Sequence, residues 1–538
     1  MCCSGIIHCM TLTNNATDTS DPAKLKALLD DLQSELIEKD KLLAANVSSI
    51  KNLNAQINCL HESLRLERAR KYASSSEKSP GQQELFDEVD QIDLALDEES
   101  NSADELAPAT DPAAKKPKRH RKPLNPDLPR VKTVIDLDAS ERQCPCGCEM
   151  TEIGETVSEQ LDIIPAKVQV LQTVRKKYAC KQCEENIKIA PAPSVLLPKA
   201  IASANTMAYV IIAKYLDGLP LYRLSSILQR YGIELSRQTL SESVLSVAHQ
   251  LEPLIERLVQ HLLSGSLIHI DETRVQVLKE PGKSAQSNSY MWVRRGGPPD
   301  RTVIHFHYDP SRAASVPEAL LKDFNGAVMS DGYEPYRTVT ARHGLDHLCC
   351  MAHARRKFVD AKKAQPKGKS GRADVAIAFI RKLYAIETRC EELSTEIRYS
   401  ARQESSKPVL NEFKSWLDDA QQKIAPKNKL GVAINYTLKY WAELSRYSDN
   451  GDWPIDNNPA ENAIRPFVIG RKAWLFSNSQ RGATASANLY SLIETAKANN
   501  REPYQYLIWM LNKLPTTSSE SLDELMPWNM PQETQQFD

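Results

Sequence analysis

Several features are missing from this 538-residue sequence, and each absence narrows its class. No uninterrupted apolar run reaches the roughly 18 residues that mark a membrane-crossing helix, so no span is expected. The start, Met1-Cys2-Cys3-Ser4-Gly5-Ile6-Ile7, has no basic flank and too short an apolar stretch for a secretory leader. A cytoplasmic protein is therefore expected. Net charge is nearly absent as well: 68 Lys+Arg against 69 Asp+Glu leave -1, which gives no overall attraction to nucleic acid. The average conceals an asymmetry. Glu84 to Glu105 is acidic, whereas Lys115-Lys116-Pro117-Lys118-Arg119-His120-Arg121-Lys122 is almost wholly basic and suited to phosphate. Twelve cysteines in so long a chain do not suggest a disulfide scaffold; five crowd into two clusters, which points to metal.

What is present divides the chain into units. Leu25, Leu29, Leu32, Leu36, Leu43, Ile50, Leu53, Ile57, Leu60 and Leu64 alternate by four and three, with Lys39 and Asn46 as polar interruptions. Such a stripe predicts a coiled coil over residues 21–73 and at least a dimer. Residues 74–130 are rich in Ser, Asp, Glu, Pro and Ala and read as a disordered linker. In residues 131–195, Cys144, Cys146 and Cys148 are separated from Cys180 and Cys183 by strand-like alternation. Four of these five suit a tetrahedral structural Zn²⁺ site in a zinc-ribbon-like module. Residues 196–264 are helical in pattern. A helix at Leu219–Leu228, a turn through Gly232, and a second helix opened by Ser236 read as a helix-turn-helix or an ordinary helical hairpin. On the former reading Arg237, Gln238 and Thr239 face DNA.

The most informative stretch is Leu267-Ile268-His269-Ile270-Asp271-Glu272-Thr273-Arg274-Val275, an expected strand, turn or bulge, strand. A carboxylate within apolar surroundings needs a pair or a metal. Asp331 ends another short β run, Ala327–Ser330, and Asp331-Gly332 also fits a hairpin turn. Glu461 follows Asn458 and Pro459, so it also fits the third position of a capped helix. Together, the three carboxylates can form an oxygen cage for Mg²⁺, the ion of phosphoryl transfer. Three strands, then helix, strand, helix, strand give a ribonuclease-H-like order over 265–488, with a helical insertion at about 361–449 and a closing helical unit at 489–538. The fold class expected is multidomain α/β.

These motifs are joined by Val157-Ser158-Glu159-Gln160-Leu161-Asp162, by Ala213-Lys214-Tyr215 before Leu219-Pro220-Leu221-Tyr222-Arg223, and by Cys350-Met351-Ala352-His353-Ala354-Arg355-Arg356-Lys357-Phe358. The last block is Pro454-Ile455-Asp456-Asn457-Asn458 with Glu461, Ile464, Arg465, Pro466, Gly470, Arg471 and Trp474. With these residues the chain resembles transposases of the Insertion Sequence 66 family, enzymes of bacterial mobile elements with an Asp-Asp-Glu triad. The resemblance implies Asp271, Asp331 and Glu461 as catalytic residues holding two Mg²⁺ ions, with Mn²⁺ as a substitute. It implies terminal inverted repeats and target DNA as partners, small accessory proteins of the same element, and a nucleoid-associated location. It also implies a Cys-x-x-His signature at Cys350 and His353. His353, Arg355, Arg356, Arg465, Arg471 and Lys472 are candidate DNA contacts. The first zinc cluster departs from the family's usual Cys-Pro-x-Cys-Gly, which leaves open which of its cysteines bind. The alternative reading is a zinc-containing DNA-binding regulator with an inactive core.

Overall fold

A computed structural model describes residues 22–72, 168–179, 187–364 and 371–531. The zinc-cluster cysteines and all of the expected linker, 74–130, lie outside them. Two units separate, Ile92–Ala192 and the remainder of the chain. The remainder begins with α1 (Pro22–Tyr72), 51 residues without an internal proline or glycine. The leucines and isoleucines of its four-three stripe, from Leu29 to Leu64, are each about half exposed or more. In the smaller unit β1 (Lys177–Ala179) pairs antiparallel with β2 (Ile187–Ile189). Arg175 Nε donates to the Ala190 carbonyl at 2.7 Å beside this pair.

Four helices follow in the larger unit: α2 (Ala204–Tyr215), α3 (Leu221–Arg230), α4 (Arg237–Gln250) and α5 (Glu252–Leu263). Pro220 starts α3 from an extended conformation, and Ser236 caps α4 by accepting the Thr239 N–H at 3.1 Å. Gly232, with φ +78°, allows the turn between them, a conformation that an L side chain rarely adopts. The expected helix, turn, helix is therefore present, with Leu224, Leu228, Leu240 and Val244 buried. Arg237, Gln238 and Thr239 are exposed.

The sheet is built from β3 (Leu267–Lys279), β4 (Asn288–Gly296) and β5 (Val303–Asp309), then α6 (Ser315–Leu320), β6 (Ala327–Ser330), α7 (Glu334–His343) and β7 (Asp346–Cys349). Its order is β5-β4-β3-β6-β7. The first three strands are antiparallel, whereas β6 runs parallel to both β3 and β7. Two turn readings are corrected here. β3 runs unbroken past Asp271, which pairs with Val293, because β4 continues the ladder on both sides of it. Asp331-Gly332 joins β6 to α7 and closes no hairpin.

α8 (Met351–Lys363) comes next, and helices then occupy the expected insertion: α9 (Arg372–Cys390), α10 (Thr395–Ala401), α11 (Lys407–Lys423), α12 (Lys429–Lys439) and α13 (Trp441–Ser445). Phe413 is their hub, 5.3 Å from Phe379 and 5.7 Å from Trp441 between ring centroids. The far end of α1 rests here, with Leu66 buried and Glu62 accepting the Lys429 N–H at 3.1 Å. The chain returns to the sheet through α14 (Asn458–Trp474) and β8 (Ser477–Ser479), which pairs with the end of β3. α15 (Gln480–Ala498) lies along β5, where Ser491 Oγ accepts the Phe306 N–H at 2.8 Å. It covers an edge strand and runs through residue 488, where a unit boundary is expected from sequence. α16 (Pro503–Lys513) is the last α-helix among the described residues, followed by short 3-10 turns.

The core holds its histidines neutral. Burial first, and then Arg446 and Arg337, push His347 down to about 4 from its ordinary 6.5. A depressed imidazole favours the folded state fully above pH 6.5. That contribution is lost as pH falls toward 4, because the unfolded chain takes up a proton that the fold refuses. At pH 5 the loss is about 2 kcal/mol for such a group. Thermal unfolding at pH 7 and pH 5 is expected to show a smaller acid loss in His347→Gln than in the native chain. Equal slopes in the two proteins would exclude this histidine as the source.

Candidate active site

Asp271 is the middle of the site because β3 is the middle of the sheet. Residues before it are fully covered, Ile268 and Ile270 at 0% exposure, so its carboxylate emerges at the edge of a dry layer. Asp271 Oδ1 accepts the N–H of Glu272 at 2.8 Å. Burial holds its carboxyl well above the usual range, and the charges of Glu272, Asp331 and Glu461 add to that. Two of the predicted carboxylates, Asp331 and Glu461, thus bear on the third. Asp331, at the end of the neighbouring parallel strand, accepts the Tyr333 N–H at 2.9 Å. Gly332 beside it admits the tyrosines of the next helices: a Cβ there would lie 2.7 Å from the Tyr436 ring and force it to shift. Tyr440 donates to the Gly332 carbonyl at 2.6 Å, so α12 and its following turn pack over the Asp331 loop.

Glu461 lies in the first turn of α14, its side chain 10% exposed. The capping reading fails in detail. The residue ahead of the helix is Asn457, not Asn458, and its side chain makes no cap hydrogen bond. The Asn458 amide donates instead to Asp456 Oδ2 at 3.1 Å. Glu461 Oε1 is buried and makes no hydrogen bond, so no capping contact occupies it.

Asn457, unassigned from sequence, is the residue that joins the two halves of the site. It is 0% exposed, and its Nδ2 donates to the Ile270 carbonyl at 3.0 Å. Its Oδ1 meets His269 Nδ1 at 3.0 Å, and its N–H donates to Cys350 Sγ at 3.2 Å. The start of α14 is thereby tied to β3 immediately before Asp271. Arg295 on β4 adds a bond from Nη1 to the Pro459 carbonyl at 3.4 Å. Asp456 is buried beside it, accepting the Tyr384 hydroxyl at 2.9 Å.

Glu272 is a second residue that pattern reasoning left without a role. Arg312 Nε donates to its Oε1 at 2.7 Å, and Tyr336 donates to its Oε2. Burial and then Asp331 raise its pKa, while Tyr336 and Arg312 lower it. The Arg312 guanidinium lies 3.9 Å from the Tyr333 ring centroid, and the Tyr333 hydroxyl returns to the Arg312 carbonyl at 2.6 Å. This closed set braces Asp271 from one side and the Asp331 loop from the other. Its only sequence signal is Glu272's place next to Asp271.

The other expected site residues are distributed over several elements. His353, Arg355 and Arg356 are partly exposed on α8, beside Lys357, whose ammonium lies 4.5 Å from the Tyr436 ring centroid. Arg465 is one turn beyond Glu461 and partly exposed. Arg471 is engaged elsewhere: its Nη1 donates to Thr273 Oγ1 at 3.2 Å and to the Arg274 carbonyl, which fixes α14 to β3. Lys472 next to it is exposed. Among the described residues, Cys350, His353 and Glu461 gather ligand atoms within 4.8 Å of one another.

A mixed α/β core that gathers carboxylates from two parallel strands and a helix defines a class of acidic, cation-demanding centres. Comparison with known proteins narrows the class. Residues 199–485 match the Transposase IS66 family, 141–184 the zinc-finger binding domain of transposase IS66, and 491–528 the IS66 C-terminal element. Residues 59–133 match a domain described as Transposase C of IS166 homeodomain. Uncharacterized protein y4jD of Sinorhizobium fredii (strain NBRC 101917 / NGR234) is 34% identical over 75% of this chain and 80% of its own length. Uncharacterized protein y4qI of the same strain is 28% identical over 95% of this chain and 97% of its own length. The chain belongs to the IS66 transposase family. It carries that family's zinc-finger module, which contains all five clustered cysteines. Among the described residues no helix is long and apolar enough to cross a membrane.

Proposed function

We propose that this chain binds the ends of its insertion sequence and catalyses DNA strand cleavage and strand transfer with Asp271, Asp331 and Glu461. One observation carries the reading: desolvation first, and then the charges of Glu272, Asp331 and Glu461, make the partly buried Asp271 hard to ionise, a gathering that a divalent cation would neutralise. The unbonded Glu461 Oε1 fits the same need for a cation. Asp271, Asp331 and Glu461 would hold Mg²⁺, which when bound activates the attacking oxygen and stabilises charge on the leaving one. The chain's own work is positional. β3 and β6 set the two aspartates side by side, Asn457 fixes the helix that carries Glu461, and Glu272 with Arg312 holds the backbone around them. The strand order β5-β4-β3-β6-β7 supports a ribonuclease-H-like core, interrupted by the helices from α9 to α13.

The exposed helix-turn-helix residues and α8's basic side chains are the protein's proposed DNA contacts. The zinc module would use four of Cys144, Cys146, Cys148, Cys180 and Cys183. The α1 stripe is proposed to pair with a second copy, since a 51-residue helix exposing a regular apolar seam is suited to knobs-into-holes packing. A peptide of residues 21–70 is expected to be helical and dimeric by sedimentation. Leu53→Pro, costing about 3 kcal/mol or more in a helix interior, should leave it monomeric and unfolded. A native peptide that stays monomeric at millimolar concentration would refute the pairing. Cleavage itself is tested with purified protein, labelled transposon-end DNA and Mg²⁺. Specific nicking at the ends supports the proposal, whereas tight end binding without cleavage under any divalent ion favours the regulator reading.

A further inference from the structure

We infer that Cys350, His353 and Glu461 form a second metal site, of zinc-like preference, built against the carboxylate centre and distinct from it in chemistry. Cys350 ends the β7 connection, His353 lies on the first turn of α8, and Glu461 lies on the first turn of α14. Their ligand atoms all fall within 4.8 Å of one another. His353 Nδ1 faces Glu461 Oε1 at 3.7 Å. Both atoms are buried, and neither makes a hydrogen bond. That separation is too long for the 2.7–3.2 Å of a normal N–H···O bond, so two desolvated polar atoms stand opposed across a gap. Leaving both unsatisfied is costly. Zn–N and Zn–O lengths of about 2.0–2.2 Å and Zn–S of about 2.3 Å separate neighbouring ligands in a tetrahedron by roughly 3.3–3.6 Å. The His353–Glu461 separation is close to that, and Cys350 Sγ lies within 4.8 Å of both, so binding would draw the sulfur in.

The donor set decides the class of ion. Mg²⁺ prefers oxygen and strict octahedral geometry, whereas a thiolate, an imidazole and a carboxylate suit Zn²⁺ or another borderline ion. Cys350 is fully buried and accepts the Asn457 N–H, so its sulfur is already oriented. An ion here would take the thiol's proton into solution on binding and leave its fourth position open. It would also recruit Glu461, so the two centres share one ligand; that consequence, though not the site itself, rests on the function proposed above.

The experiment is metal stoichiometry on the full-length protein, dialysed against buffered Zn²⁺ and assayed by elemental analysis. The native chain is expected to hold one equivalent more than Cys350→Ser or His353→Ala, whatever the zinc module contributes. With Co²⁺ as the probe, the extra equivalent should show a thiolate-to-metal absorption that Cys350→Ser loses. His353→Ala should weaken binding at this site by at least the roughly 10–100-fold that even outer-sphere changes cost. Cys350 is buried and its replacement can unfold the loop, but His353 is about a quarter exposed and its variant decides the matter alone. Asp271→Asn, which abolishes cleavage on the proposed function, should keep the extra equivalent, so the two proposals fail separately. Equal zinc in the native chain and in folded His353→Ala would overturn the site and leave His353 and Glu461 as an ion pair.

Discussion

Glu461→Gln is expected to retain its fold and its affinity for transposon ends while losing strand cleavage and joining almost completely. The substitution keeps shape and removes charge. No hydrogen bond to Glu461 Oε1 is lost, because none is made, and the helix start is held by Asn457 and Arg295 rather than by this side chain. Stability should therefore change by no more than about 1 kcal/mol, the scale of an ordinary cap. A neutral amide cannot stand in for a carboxylate toward a hard cation, so on the proposed function the chemical step would lose a metal ligand outright. Asp271→Asn and Asp331→Asn should behave alike in a side-by-side cleavage assay, with thermal unfolding and end binding measured on the same preparations. Near-normal cleavage by folded Glu461→Gln would remove it from the site, and Asp456, buried and close by in sequence, would be next to test.

Asn457→Ala is expected to damage both stability and activity, although Asn457 touches no reacting atom. Truncation leaves the buried Ile270 carbonyl and His269 Nδ1 without their partner. Each unsatisfied buried group costs about 1–3 kcal/mol, so a loss of roughly 2–5 kcal/mol is expected by thermal or denaturant unfolding. The helix carrying Glu461 also loses its tie to the strand carrying Asp271. Displacements of about 1 Å can cost about a hundredfold in rate. Asn457→Asp separates the effects, since it keeps the acceptor for His269 and loses the donor to Ile270. If Asn457→Ala unfolds and cleaves like the native chain, the clip has no positioning role.

The parts of this protein that were legible in its sequence are those written locally. The α1 stripe repeats every seven residues, the α3–α4 turn announces itself through Gly232 and Ser236, and the β3 and β6 runs are short apolar segments ending in aspartate. Residues whose partners lie far along the chain left no such trace. Asn457 reads as an ordinary helix-start residue, but its side chain reaches Ile270, 187 residues away. Glu272 looks like a second acid in a turn until Tyr336 and Arg312 are found around it. The misread turn at Asp271 has the same origin: polar residues after an apolar run suggest a break, whereas the β4 partner strand supplies the ladder that keeps the run extended. Arg471 likewise looks free as a helix-end cation, yet it is used to hold α14 on β3.

The distance between Ile270 and Asn457 along the chain also has a meaning in time. Synthesis proceeds at about 5–20 residues per second, so the helix bearing Glu461 leaves the ribosome roughly 10–40 s after the strand bearing Asp271. Between them the whole helical insertion must be made. A chain that stops short of α14 therefore carries both aspartates while still lacking the last carboxylate. On the function proposed above such a chain could not cut DNA, and its armament would wait for the far side of the insertion.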